Sequence, residues 1–319
     1  MIKSILKRSL ENDHMIITKD LVKIYRGGVK ALDRVDIRTP SEGIISFVGS
    51  NGAGKTTLMR ILAGVLKPTS GYVEVAGVDV VREPQKIRER TSYMPQGSTP
   101  PGFSTPYQFI TSYLMYRGFS YKEAREKALE VIRLFELENI MMRRCSELSY
   151  GTQQRVVASA VIASDADIMI LDEPTSGLDP IARRRFWAAL YSLKRRGKMI
   201  LITSHNPEEI ESISDYIIVM SRGNIVAQGD LKNLLRSIEF KRVIEIYSED
   251  SFINIYEEKL KTDTVYRLRN MIVSYYKDED QADKIVDQLS RDGLKIRIRP
   301  VSVTDLLLLR GDYLYEETD

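Results

Sequence analysis

Residues Gly49 to Thr57 read GSNGAGKTT, and the first eight satisfy G-x-x-x-x-G-K-[ST], the spacing that cradles the phosphates of a nucleoside triphosphate. The residue types follow from that task. Gly49, Gly52 and Gly54 let the backbone curl so that the N–H groups of the loop, through Ser50, Asn51 and Ala53, face phosphate oxygens. Lys55 should reach the β- and γ-phosphates, and the Thr56 hydroxyl should ligate Mg²⁺, with Thr57 beside it. A helix beginning at this loop adds its positive end to the same site. The loop binds ATP or GTP and says nothing about what the energy drives.

A second constellation is Ile168-Met169-Ile170-Leu171-Asp172-Glu173. An apolar strand ending in two carboxylates puts Asp172 at the edge of a sheet, beside the phosphate loop. Asp172 can hold Mg²⁺ through water. Glu173 is then placed to polarise an attacking water as a general base.

The elements that must position these residues are legible around them. Ile44 to Val48 is compact, β-rich and ends in glycine, so it reads as a buried strand feeding the loop. Leu58, Ile61, Leu62, Val65 and Leu66 recur at helical spacing over Thr56 to Leu66, with Pro68 as the stop. Asp167 to Leu171 and Met199 to Thr203 read as further buried strands, and Ile181 to Arg196 as a helix opened by Pro180. Buried strands alternating with helices predict a mostly parallel α/β sheet. Residues 97–155, after a Pro/Gly-rich stretch, are helical in period and read as an insertion. Tyr216 to Met220 and Asn224 to Ala227 predict a closing hairpin around Arg222-Gly223. Beyond Arg236 the pattern restarts: a strand over Val243 to Tyr247, a helix over Phe252 to Leu260, two strands within Val265 to Tyr276, a helix over Gln281 to Leu289 and a strand over Leu294 to Ile298. That βαββαβ order suggests a small α+β, ferredoxin-like module.

Bulk properties narrow the class. Of 319 residues, 43% are hydrophobic and 29% charged, and the net charge of +3 gives no reason to expect a polyanionic partner. Arg183 to Arg185 and Lys194 to Arg196 read as solvated helix faces. The single cysteine, Cys145, excludes an internal disulfide framework and suits a reducing compartment. No apolar run approaches the ~20 residues that span a bilayer, so action at a membrane requires another chain. Residues 1–14 lack the apolar core of a secretory signal and read as an extension ahead of Met15.

Leu148-Ser149-Tyr150-Gly151-Thr152-Gln153-Gln154-Arg155 resembles the LSGGQ signature of ATP-binding-cassette (ABC) proteins. Tyr150 stands at the usual first glycine and Thr152 at the usual glutamine, while Ser149 and Gly151, which the resemblance assigns to the γ-phosphate, are retained. Other elements follow in the family's order. Tyr25 resembles the aromatic that stacks on adenine, Gln96 the lid glutamine that senses Mg²⁺, and Ser176-Gly177-Leu178-Asp179 the loop that communicates across a dimer. His205 resembles the switch histidine that contacts the γ-phosphate and orients Glu173.

The resemblance spans about residues 16–236 and implies a P-loop cassette: a mostly parallel sheet core, an antiparallel β subdomain and a helical subdomain at about 97–155. On this reading residues 1–14 are an extension, 15–236 the ATPase domain and 237–319 an accessory domain. The implied cofactors are ATP and Mg²⁺. Two such subunits, as a homodimer or closely related heterodimer, would pack head to tail, each ATP lying between one Lys55 loop and the other Ser149 signature. The expected role is the ATP-hydrolysing subunit of an exporter, peripheral on the cytoplasmic face of the membrane through a separate transmembrane permease. The alternative is a soluble ABC ATPase acting on nucleic acid or ribosomes. It is disfavoured because such proteins usually carry two cassettes, coiled-coil insertions or zinc-binding cysteines, so no direct nucleic-acid partner is expected.

Overall fold

Gly43–Val48, Ile168–Asp172 and Met199–Thr203 are buried at every position, and strands with no polar face must be covered on both sides. The computed structural model describes residues 15–204, 207–247, 260, 262, 264–268, 271–290 and 294–310. The chain divides into two compact units, Met1–Gln228 and Gly229–Asp319.

In chain order the first unit contains strands β1 (Ile16–Ile24), β2 (Lys30–Arg38), β3 (Gly43–Val48), β4 (Ser70–Val75), β5 (Val78–Asp79), β6 (Thr91–Met94), β7 (Ile168–Asp172), β8 (Met199–Thr203), β9 (Tyr216–Ser221) and β10 (Asn224–Gly229). Its helices are α1 (Lys55–Leu62), α2 (Pro84–Arg90), α3 (Pro106–Tyr116), α4 (Tyr121–Leu134), α5 (Tyr150–Ala163), α6 (Pro180–Arg195) and α7 (Pro207–Ile213). The main sheet runs β10-β9-β3-β8-β7-β6. The β9–β3, β3–β8, β8–β7 and β7–β6 pairs are parallel, so β3 and β7 deliver the phosphate loop and Asp172 to one sheet edge, with β8 between them. A second, antiparallel sheet has the order β2-β1-β4-β5.

The period-two alternation of β7 partitions the core. Ile168 and Ile170 face a cluster with Leu58, Ile61 and Val73, whereas Met169 and Leu171 face one with Ile110, Val131 and Val156 from the helical block. The expected α/β fold, with antiparallel and helical additions, is what forms.

One boundary differs. The helix after the phosphate loop ends at Leu62 rather than continuing to Leu66. Gly64 takes φ +67°, and the bonds Gly64 N–H to Ile61 O and Val65 N–H to Arg60 O close the last turn. This left-handed glycine stops the helix four residues before Pro68. Between β9 and β10, Arg222 and Gly223 have φ of 46° and 79°, the handedness of a two-residue hairpin turn.

The second unit contains α8 (Leu231–Arg236), β11 (Arg242–Tyr247), β12 (Val265–Leu268), β13 (Met271–Tyr276), α9 (Glu279–Ser290), β14 (Lys295–Pro300) and α10 (Asp305–Arg310). Its antiparallel sheet runs β12-β13-β11-β14. Ile244 and Ile246 pack with Ala282, Ile285 and Leu289 of α9, while Val243 and Tyr275 pack with Leu308 and Leu309 of α10. The helix expected over Phe252 to Leu260 lies, apart from Leu260, outside the described residues.

Candidate functional site

The phosphate loop leaves β3 and turns into α1. Gly54 caps α1 at φ 99°, and a Cβ there would lie 2.5 Å from Ala31 O, so only glycine fits the turn. Gly49 is equally constrained, since its Cβ would lie 2.3 Å from Met220 O. Asn51 and Gly52 are exposed, Ser50, Gly54 and Thr56 are half-buried, and Ala53 and Thr57 are buried. Lys55 is 6% exposed, and its Nζ donates to Gly49 O (2.8 Å) and Ser50 O (2.9 Å). Burial pulls its pKa below the usual lysine value, partly offset by Glu173 and Asp172. The ammonium is thus held within the loop it is expected to serve. Tyr25 is half-buried, with its hydroxyl 3.2 Å from Thr57 Oγ1.

Across β8, the two carboxylates are fixed by a residue that sequence reasoning did not single out. Thr203, fully buried at the end of β8, donates from Oγ1 to Asp172 Oδ1 (2.7 Å) and accepts from Glu173 N–H (2.8 Å). A hydroxyl ending the otherwise aliphatic run MILIT was the available signal. Glu173 has φ 52°, a left-handed conformation that is costly for a non-glycine residue and turns the chain sharply after Asp172. Gln96, which follows β6, donates from Nε2 to Glu173 Oε2 (2.8 Å).

The same edge suits Mg²⁺. Asp172 is 1% exposed and its Oδ2 is buried without a hydrogen-bond partner among the described residues. A buried, unsatisfied carboxylate oxygen opposite the loop that carries Thr56 is the donor set of an ion shared with nucleotide phosphates and waters. No group of three His, Cys, Asp or Glu side chains suited to a metal occurs among the described residues, as expected where phosphate supplies ligands.

Ser149 and Gly151 open α5 in the helical block. Ser149 is the N-cap, accepting from Thr152 N–H (3.3 Å), and it is exposed. Gly151 packs so closely on the segment after Glu173 that a Cβ would lie 2.1 Å from Gly177 O. Asp179 caps α6, accepting from Ile181 N–H and Ala182 N–H at 2.9 Å each, and lies 4.0 Å from Arg155. Those two backbone bonds, with Arg155, hold its pKa below the usual carboxylate value. Gln154, buried on α5, donates to Ser98 O (2.5 Å) and so joins the signature helix to the Gln96 loop; it too was read only as part of a motif.

The structure therefore gathers Lys55, Asp172, Glu173 and Gln96 at one sheet edge. No hydrogen bond or ion pair among the described residues joins Ser149 or Gly151 to the phosphate loop. His205 lies outside the described residues.

Comparison with known proteins gives the family of the chain. Residues 32–176 match the family described as ABC transporter. The daunorubicin/doxorubicin resistance ATP-binding protein of Streptomyces peucetius is 31% identical over 288 residues, covering 88% of this chain and 87% of that protein. The Nod factor export ATP-binding protein I of Rhizobium etli is 29% identical over 294 residues, covering 91% and 90%. Among solved structures, a dimeric post-hydrolysis state of an ATP-binding cassette bound to ADP and Pi superposes with a TM-score of 0.63 at 25% identity, over 68% of this chain and 98% of that one.

Proposed function

Because the chain belongs to the ATP-binding proteins of the ABC transporter family, we propose that it forms half of a two-subunit ATPase driving a separately encoded permease in export. It is an ATP hydrolase. One observation carries the two-subunit reading: the phosphate loop and carboxylates share an edge, while exposed Ser149 opens a helix and neither it nor the half-buried Gly151 has a polar link to that loop among the described residues. A second subunit, identical or closely related, supplies the missing signature.

In the proposed site, loop N–H groups and Lys55 hold the β- and γ-phosphates. Tyr25 lies against the adenine, and Ser149 and Gly151 of one subunit meet the γ-phosphate held by the other. Thr56, Gln96 and Asp172 would hold Mg²⁺, which would supply neutralisation of the charge developing on the phosphates. Glu173 accepts a proton from water as its oxygen attacks the γ-phosphorus, and the bond to the β–γ bridging oxygen breaks to leave ADP and phosphate. His205, which follows β8 in the sequence, is the residue proposed to contact the γ-phosphate and orient Glu173.

Export is supported by the names of the drug-resistance and Nod factor export relatives. No helix among the described residues is long and apolar enough to cross a membrane, which fits attachment to the cytoplasmic face through a permease. The exposed side chains of Phe103 and Tyr116, on and before α3, offer apolar contacts for one. The antiparallel order β12-β13-β11-β14, with α9 between β13 and β14, supports a ferredoxin-like accessory domain after residue 236. Gel filtration of Glu173→Gln with and without ATP tests the shared site: an ATP-dependent dimer is expected, and a monomer at saturating ATP would sink it.

A further inference from the structure

Glu209 lies on α7, just beyond the end of β8, with its side chain 12% exposed. Three segments converge on its carboxylate. Thr175 Oγ1, two residues after Glu173, donates to Oε2 at 3.3 Å. Ser204 Oγ, next to Thr203, donates to the same oxygen at 3.3 Å. Arg183, in the first turn of α6, lies with Nη1 3.1 Å from Oε1, and its Nη2 donates to Leu178 O at 3.4 Å. Thr175 and Ser204 are buried. One carboxylate therefore fastens the loop after the catalytic strand, the end of the neighbouring strand and the helix capped by Asp179.

Thr203 already ties β7 to β8 at the level of Asp172 and Glu173. Glu209 makes a second tie one layer further out, through Thr175 and Ser204. Within the stretch between Glu173 and Asp179, Ser176 N–H bonds to Glu173 O and Leu178 N–H to Thr175 O, Gly151 packs against Gly177, and Asp179 lies 4.0 Å from Arg155. Beyond the Glu173 N–H bond to Thr203, Glu209 adds the bonds that tie this stretch to the end of β8. A guanidinium faces one oxygen of Glu209 and two hydroxyls donate to the other.

We propose that Glu209 is a positioning residue for ATP hydrolysis, holding the Glu173–Asp179 segment in register with the end of β8 and with α6. This rests on the reading of Glu173 as the general base. Nucleotide affinity is expected to be independent of it, since Thr175, Ser204 and Arg183, its partners given above, all lie outside the phosphate loop.

The test uses the full chain and measures MgATP affinity by calorimetry, kcat and KM by phosphate release, and Tm. Glu209→Gln keeps hydrogen-bonding capacity and removes the charge, and it is expected to lower kcat about ten- to a hundredfold, the scale of a small misplacement. MgATP affinity should stay within about twofold, as for an interaction that does not bind the ground state. Glu209→Asp should recover part of the rate and Arg183→Met should resemble Glu209→Gln. The double variant should be no slower than the slower single one, because the two side chains act as a unit. A lowered Tm with unchanged kcat would make Glu209 purely structural and overturn the proposal, as would loss of affinity in step with kcat, or additive effects in the double variant. A slowed Glu173→Gln beside an unchanged Glu209→Gln overturns this inference alone. The reverse pattern overturns the reading of Glu173.

Discussion

Gln96 donates a hydrogen bond to Glu173 across 2.8 Å, so the loop after β6 touches the proposed base directly. The same loop is tied to the signature helix, because Gln154 donates to Ser98 O. A shift of α5 is therefore felt at Glu173 through a contiguous set of bonds, Gln154 to Ser98 and Gln96 to Glu173. The proposed signature engagement by a second subunit and the proposed chemistry at Glu173 are thus linked by bonds within one chain.

Replacing Glu173 by glutamine keeps an acceptor for Gln96 and removes the group proposed to take the proton from water. The expected result is a kcat lower by about 10²–10⁴, with MgATP affinity retained. Phosphate release and calorimetry on the same preparation check both halves, and a normal rate would defeat the assignment.

Lys55 is the only ammonium bonded within the phosphate loop among the described residues. Lys55→Ala removes the ammonium proposed to hold the phosphates; one charge-assisted bond is worth about 1.5–3 kcal/mol, so the dissociation constant for MgATP should rise about ten- to a hundredfold. Titration calorimetry measures this directly. Unchanged affinity would count against its role.

Thr203 joins Asp172 and Glu173 through a single hydroxyl. Thr203→Val keeps shape but strands the Glu173 N–H and Asp172 Oδ1 in a buried site, costing about 1–3 kcal/mol for each group left unsatisfied. Thermal unfolding should show the loss, and kcat should fall as the carboxylates lose their mutual register. Thr203→Ser, which retains the hydroxyl, should restore most of both; failure of that rescue would show that packing, not the bond, matters.

The parts read most readily from sequence were those with one dominant physical signal. Ile168 to Leu171 and Met199 to Ile202 are unbroken apolar runs because both faces are covered, and the strands that contain them have nearly the limits expected. The first two strands were not delimited, because β1 and β2 carry charged residues and their pairing shifts register between Thr18 and Leu21 and again before Ile24. Asp20 sits at φ 47° inside that irregularity, which breaks the alternation a reader looks for. Motif residues are found by spacing, but Thr203 and Gln154 work through partners 30 or more residues away in sequence, and Glu209 joins nearby Ser204 to Thr175, 34 residues away; no local pattern reports such pairings. The end of α1 was misplaced because Gly64 acts before Pro68.

The second unit carries a buried ion cluster with a definite pH signature. Asp305 is 1% exposed. It accepts from Arg299 Nη1 (2.7 Å) and Nη2 (2.9 Å), from Tyr275 OH (2.8 Å) and from Ser302 N–H (2.7 Å). Arg299 also reaches Glu245 through Nε at 2.6 Å. Burial alone raises the Asp305 pKa, but Arg299, the Ser302 N–H and the Tyr275 hydroxyl together hold it below the usual value of 3.8. Stability from a depressed carboxylate is fully present above the unfolded value and is lost as pH falls through the folded one. The β11, β13 and β14 amides should therefore lose hydrogen-exchange protection only below about pH 4, where an unfolded aspartate begins to take up its proton. Asp305→Asn leaves Arg299 with Glu245 as its remaining anionic partner and should cost about 3 kcal/mol at neutral pH. The same substitution should flatten the acid limb, because the titrating group is gone. Equal acid sensitivity in both proteins would place the controlling carboxylate elsewhere.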